Sequence, residues 1–271
     1  MTNLRLGNHN GTNMVQNIYD QSDFFEGYSH LARSTGGLEA APEWPILRAM
    51  LPPVKGLRIV DLGCGYGWFC RWAQAQGAAH VLGLDLSEKM LARAREMSSG
   101  AAIVYERADL EQLALPSEAF DLAYSSLALH YLEDARRLFA TVHQALVPGG
   151  RFVFSTEHPI FMAPTRQGWA KDAEGRRIWP LDRYSVEGPR TTDWLAKGVL
   201  KYHRTVATTL NLLIGAGFSI ARVEEFAPTA EQIEAQPDLQ EELDRPMFLL
   251  VSAKRQGLGE AAPVFPVTAG S

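Results

Sequence analysis

Three glycines within five residues, Gly63, Gly65 and Gly67, follow a short apolar run, Arg58–Leu62 (RIVDL). An apolar run this short, closed by a glycine turn, predicts a buried strand, and the stretch from there to about Gln76 predicts a helix. The alternation then repeats. His80–Leu86 (HVLGLDL) predicts a second strand, and Ser87–Met97 a second helix with Ser87 as its N-cap. Ala102–Glu106 and Phe120–Ser125 predict two more strands. Asp134–Leu146 predicts a helix that ends at Pro148-Gly149-Gly150, ahead of a strand at Arg151–Ser155. Alternation of this kind gives an α/β fold: a Rossmann-like, doubly wound, parallel sheet with helices on both faces.

Flanking segments read differently. Residues 17–53 carry a broken helical pattern, punctuated by Pro42 and Pro45 and closed by Pro52-Pro53. After the fifth strand the alternation stops. Residues 158–203 hold Trp169, Trp179 and Trp194, several prolines and charges of both signs. A structureless loop of that length is unusual in a compact domain, so the segment reads as an inserted cap. A helix at Thr205–Gly215 and strands at Phe218–Phe226 and Pro246–Ala253 resume the pattern. Residues 1–16 and 256–271 read as flexible tails.

Composition narrows the partners. The 271 residues are 46% hydrophobic and carry a net charge of −5, with no Lys/Arg cluster interleaved with aromatics. Neutralising phosphates needs a basic face, so nucleic acid is not the expected partner. The two cysteines, Cys64 and Cys70, lack a metal-type spacing and read as reduced thiols in the cytoplasm. No signal core or membrane span is expected, and no metal site. A monomer or homodimer acting on a small molecule is the expectation.

The glycine loop falls at the C-terminal edge of the first strand, where a doubly wound sheet binds ligands. Glycines let the backbone turn sharply and bring main-chain N–H groups against a ligand. Asp85, at the end of the second strand, can accept two hydrogen bonds from vicinal ribose hydroxyls, so the ligand is a nucleoside. Alone, the pair fits a nicotinamide dinucleotide or S-adenosylmethionine. The dinucleotide fingerprint needs a third glycine where this chain has Trp68. Asp61, just before the loop, would repel a pyrophosphate but suits a ligand with ammonium and sulfonium groups.

On these residues the chain resembles the class I S-adenosylmethionine-dependent methyltransferases, in particular the bacterial small-molecule group that includes the ubiquinone/menaquinone enzymes. The likeness runs from about Tyr19 to Gly150 and more loosely beyond. Val60–Gly67 is similar to the family's first motif, which holds the methionine part, with Cys64 as a small filler in the loop. Gly83–Ser87 with Met90 resembles the second, in which Asp85 grips the ribose and Leu86 and Met90 flank adenine. Asp109 and Leu110 match the third, at the adenine edge. Phe120–Leu122 and Ser125–Tyr131, including Ser126, resemble the fourth, and Leu146–Arg151 the turn into the fifth strand. The resemblance implies a seven-stranded, mostly parallel sheet with one antiparallel strand near the C-terminal end. It also implies a helical lid over 17–53, in which Tyr28 and Arg33 face the cofactor and Arg33 pairs with its carboxylate.

Methyl transfer from a sulfonium is an in-line displacement that positioning alone can accelerate. A base is needed only where the accepting atom is protonated. His130, after the fourth strand, is the first candidate for that base, with packing or capping as its other reading; His158 is the second. Tyr131, Trp169, Tyr202 and His203 are candidate acceptor-binding residues. The expected activity is methyl transfer to an O or N atom of a small metabolite. The rivals are a non-catalytic S-adenosylmethionine-binding protein and a nicotinamide-dependent oxidoreductase.

Overall fold

The computed structural model describes residues 17–257. The expected tails, residues 1–16 and nearly all of 256–271, lie outside the described residues. The chain enters through three short helices, α1 (Ser22–Ser29), α2 (Ala32–Thr35) and α3 (Trp44–Met50). Then β1 (Arg58–Leu62), α4 (Trp68–Ala75), β2 (His80–Asp85), α5 (Glu88–Glu96) and β3 (Ile103–Arg107) follow in strict alternation. Next come β4 (Phe120–Ser126), α6 (Ala135–Ala145), β5 (Leu146–Glu157) and the single turn α7 (Pro159–Met162).

Local chemistry sets these limits. Ser87 accepts the N–H of Met90, Asp134 that of Arg137 and Thr205 that of Thr208, each capping the helix that follows. In α6 the buried residues Leu138, Phe139, Val142 and Ala145 make one stripe against the sheet. One boundary differs from expectation. Pro148-Gly149-Gly150 does not precede the fifth strand but lies inside β5, which starts at Leu146 opposite Phe120 before the register shifts. Gly149 takes the irregularity at φ +85°, and a Cβ at Gly150 would sit 2.9 Å from the Val147 carbonyl.

The 158–203 insertion forms two antiparallel hairpins. One joins β6 (Ala170–Lys171) to β7 (Arg177–Ile178), the other β8 (Gly188–Trp194) to β9 (Ala196–His203). After α8 (Val206–Gly215), β10 (Phe218–Glu225) and α9 (Ala230–Ala235), the chain ends its core in β11 (Phe248–Arg255).

The sheet order is β3-β2-β1-β4-β5-β11-β10. The pairs from β3 to β5 are parallel, and β11 is antiparallel to both its neighbours. Two apolar clusters, one on each face, hold the sheet between its helices. Strand order reverses between β1 and β4, and a crevice opens above their C-terminal ends. A third cluster, Phe24 with Val199 and partly buried Tyr19, Tyr28, Tyr131 and Leu195, joins α1 to the β8–β9 hairpin across that crevice. Among the described residues no helix is long and apolar enough to cross a membrane.

Candidate active site

The crevice holds three adjoining chambers that share wall residues. The smallest surrounds the glycine loop and is lined by Asp61, Gly63, Cys64 and Gly65 from below and by Tyr28 and Arg33 from α1–α2. Gly63, Gly65 and Gly67 all have left-handed backbones, with φ of +77°, +52° and +70°. A Cβ on Gly63 would lie 2.4 Å from that of Ala128. At Gly65, by contrast, a Cβ would meet nothing nearer than the Tyr28 hydroxyl at 4.0 Å, so this backbone is open to a ligand.

Asp85 ties the loop down. Its Oδ2 accepts the Gly65 N–H at 2.8 Å and its Oδ1 the Ser87 N–H at 2.9 Å. A carboxylate has about four acceptor positions, so two remain for a ligand. Burial pushes Asp85 up to about 6, against the pull of those two N–H groups. Asp61 is 2% exposed and takes the Cys70 thiol as a donor at 3.2 Å; burial pushes it up to about 7. An acid held in this state favours a cationic group brought against it, which matches an ammonium and opposes a pyrophosphate.

A second chamber of about 470 Å³ continues past Asp85 along Leu86, Asp109 and Leu110, with Tyr131 and Tyr202 on its far wall. Asp109 accepts the Glu111 N–H at 2.9 Å, which fixes its side chain at the rim. Met90 and Ser126 line the third and largest chamber, of about 560 Å³, together with Tyr28, Arg33, His130 and Tyr131. All twelve residues expected at the cofactor therefore border one continuous crevice. Arg33, however, carries its charge already matched: its Nη2 contacts both oxygens of the buried Glu43 at 3.0 and 3.1 Å.

Three expected site residues stand apart from the chambers. His158 is 1% exposed; its Nδ1 accepts the Ile160 N–H at 3.0 Å, capping α7, and its Nε2 meets Glu225 at 2.8 Å. It is a capping residue, and burial lowers its basicity. His203 faces inward from β9 but gives its Nε2–H to the Tyr184 carbonyl at 2.8 Å. Trp169 donates to Glu241 at 2.8 Å and stacks on Arg177, with its centroid 4.1 Å from the guanidinium carbon. Trp179 likewise donates to the Ile160 carbonyl, whereas Trp194 does line the largest chamber.

His130 is buried on that chamber with both ring nitrogens turned to one residue. Its Nδ1 faces the Glu157 N–H at 3.4 Å, and its Nε2 lies 3.8 Å from Glu157 Oε1. Burial, then Lys201 and Arg204, hold it well below the usual histidine range, so the ring is neutral. With Nδ1 accepting, the proton rests on Nε2 and no lone pair is left for a substrate. Its place as a base therefore conflicts with the geometry.

Glu157 and Lys201 were not picked out from the sequence. Lys201 Nζ is 2.5 Å from Glu157 Oε1, and Lys201 is 2% exposed. Burial pushes the Glu157 carboxyl up while Lys201 draws it down. A signal for each exists: Glu157 is a charged residue at the C-terminal end of an inner strand, as Asp85 is. Lys201 alternates with buried Val199 and His203 along β9, so it points inward. Tyr19 closes the roof, its hydroxyl 3.1 Å from that of Tyr131.

Residues 60–154 match a family described as a methyltransferase domain. The crystal structure of an S-adenosylmethionine-dependent methyltransferase from Mesorhizobium loti is 74% identical, covering 81% of this chain and all of that one, with a TM-score of 0.79. A protein of uncharacterised function from Haemophilus influenzae is 36% identical over 88% of this chain and 96% of its own length. A malonyl-[acyl-carrier protein] O-methyltransferase from Pectobacterium atrosepticum is 32% identical over 60% of each chain. The open Gly65 backbone, the Asp85 carboxylate and the acidic floor at Asp61 fit the cofactor of such enzymes, and the chain belongs to the S-adenosylmethionine-dependent methyltransferases.

Proposed function

We propose that this methyltransferase acts on an oxygen or nitrogen atom of a small molecule held in the 560 Å³ chamber. The observation that carries this reading is the chamber itself. It adjoins the glycine loop at Gly63 and Gly65 and is roofed by Tyr19, Tyr28 and Trp194. A space of a few hundred cubic ångströms is the usual size for a small ligand. The cofactor, when bound, supplies an electrophilic methyl group.

On this reading Asp85 takes the ribose hydroxyls, Leu86 and Met90 flank the adenine, and Asp109 and Leu110 meet its edge. Gly63, Cys64 and Gly65 lie along the methionine part, with Ser126 and Tyr28 beside it, and Asp61 offsets its ammonium group. Arg33 borders the methionine carboxylate with only those N–H groups that Glu43 leaves over. Tyr131 contacts the acceptor from the rim, whereas Tyr202, expected there too, borders the adenine chamber instead. His130 orients Glu157 and takes no proton itself.

The Pectobacterium relative is named for methylating a malonyl group on a carrier protein. A chamber whose cations are paired does not favour such an anion. The test is a screen of small acceptors with methyl-tritiated S-adenosylmethionine. Label in a low-mass O- or N-methyl product supports the proposal. Tight S-adenosylhomocysteine binding with label found only in protein or nucleic acid, or in nothing, would sink it.

A further inference from the structure

Two glutamates line the acceptor chamber, and each is only half paired. Glu157, at the end of β5, gives Oε1 to Lys201, while its Oε2 is buried with no partner. Glu242, in the 3-10 segment Pro237–Leu243 before β11, gives Oε1 to Arg245 Nη2 at 2.6 Å, and its Oε2 is likewise unpartnered. Glu242 is 4% exposed. Leaving a buried acceptor without a donor is unfavourable, because the water that solvated it is lost and nothing replaces it. A ligand that brings a donor to the spot relieves that cost.

The charge balance points the same way. Lys201 is matched by Glu157, and Arg33 by Glu43. Asp85 and Asp193 also line the chamber, and neither takes a cationic partner there; their hydrogen bonds come from backbone N–H groups. Carboxylates and phosphates are repelled by such a wall, whereas hydroxyl and ammonium groups are drawn to it. The aromatic walls agree. Lys201 Nζ lies 5.1 Å from the Trp194 ring centre and 5.9 Å from that of Tyr131, so these faces already receive positive charge.

We propose that the acceptor is an uncharged or cationic alcohol or amine whose reacting O–H or N–H is held by Glu157. A second donor on the same molecule docks at Glu242. The inference rests on the small-molecule methyl-transfer reading above. In the step, a lone pair on the acceptor's O or N, freed in an ammonium by prior loss of a proton to Glu157, forms the bond to the methyl carbon as the carbon–sulfur bond breaks. That bond's electron pair stays on sulfur, and the acceptor's proton goes to the Glu157 carboxylate. Lys201 is a positioning residue that holds Oε1.

The experiment uses one carbon frame with different ends. Benzylamine, benzyl alcohol, benzoate and phenyl phosphate are titrated calorimetrically into full-length protein saturated with S-adenosylhomocysteine, and methyl transfer is followed separately with tritiated S-adenosylmethionine. The amine and alcohol should bind about ten-fold or more tighter than the two anions, a difference that Glu157→Gln abolishes with cofactor affinity unchanged. 4-(Hydroxymethyl)benzylamine should bind tighter than benzylamine, and Glu242→Gln should remove that gain. Equal or tighter binding of the anions, no binding by any frame, or an undiminished preference in Glu157→Gln overturns the proposal. If Glu157→Gln does not fold, the Glu157→Gln, Lys201→Met pair removes both charges and takes its place. Donor frames that bind but receive no methyl would sink the methyl-transfer reading and leave the donor preference standing.

Discussion

The cofactor side of the crevice is drawn mainly from the ends of β1, β2, β3 and β4 and the turns after them, with α1–α2 above, whereas the acceptor chamber gathers residues as far apart as Tyr19 and Phe248. On the first side the polar partners are close in the chain: Asp85 holds Ser87 and Gly65, Asp61 takes the Cys70 thiol and Arg33 meets Glu43, none more than 20 residues apart. On the second, Lys201 meets Glu157 and Tyr19 meets Tyr131, contacts spanning 44 and 112 residues. The difference teaches that one half is a property of the sheet and the other a property of what is hung over it. Substitutions should respect that division.

The largest effect is expected at Asp85. Asp85→Ala should weaken S-adenosylhomocysteine binding by about 2–3 kcal/mol, since ligand and loop hydrogen bonds to a charged group go together. Calorimetry showing native affinity would refute the ribose assignment. The same residue gives a pH signature. Its carboxyl, raised to about 6, must be ionised to accept two hydroxyls, so affinity should fall as pH drops through 6, and Asp85→Asn should flatten the curve.

Asp61 is expected to show a trade-off. Its folded pKa of about 7 lies above the ordinary 3.8, so the folded state holds the proton more tightly than the unfolded. Stability therefore falls as pH rises between those values, and the penalty is complete above 7. Asp61→Asn should stabilise the unliganded protein by about 2 kcal/mol at pH 8 and not at all near pH 3. Denaturant midpoints with no such pH dependence would remove the buried-acid account.

On the hung half, Phe24→Ala should open the seam where Phe24 meets Trp194 at 5.5 Å. Acceptor kcat/KM should drop roughly ten- to a hundred-fold through lost positioning, with cofactor affinity held within about three-fold. Equal losses on both would erase the distinction between the halves. The smallest change belongs to His158→Ala, which should cost about 1 kcal/mol of stability as a lost cap and leave turnover alone. A selective fall in kcat would return His158 to the chemistry.

The same division explains what the sequence made legible. The strand–helix alternation, the cap at Ser87 and the crevice residues at Gly63, Gly65 and Asp85 were readable because strand period, cap chemistry and glycine turns act over a few residues, while the count of seven strands came from the family resemblance. Pro148-Gly149-Gly150 misled because a proline–glycine run signals a turn locally, while pairing of Leu146 with Phe120 carries the strand through it. His158 and His130 were singled out for their residue type at a strand end; Glu157, next to His158 in the chain and bonded to His130 through its N–H, was passed over. A histidine's titration range is visible in the sequence, but the partners that occupy its nitrogens are not. Trp169 and His203 belong to the insertion, whose hairpins pair by contacts no local pattern announces.

The Asp85 carboxylate holds the Gly65 N–H from the end of the neighbouring strand, so the left-handed path of the glycine loop is tied to the sheet by the protein's own bond and set during folding. The ordering entropy of that loop is then charged to the protein's own stability and not to the binding step. Cofactor association should resemble docking into a rigid mould: a single kinetic phase and little change in amide exchange across residues 63–67. Any slow relaxation should appear only in the hairpin and α1 above it.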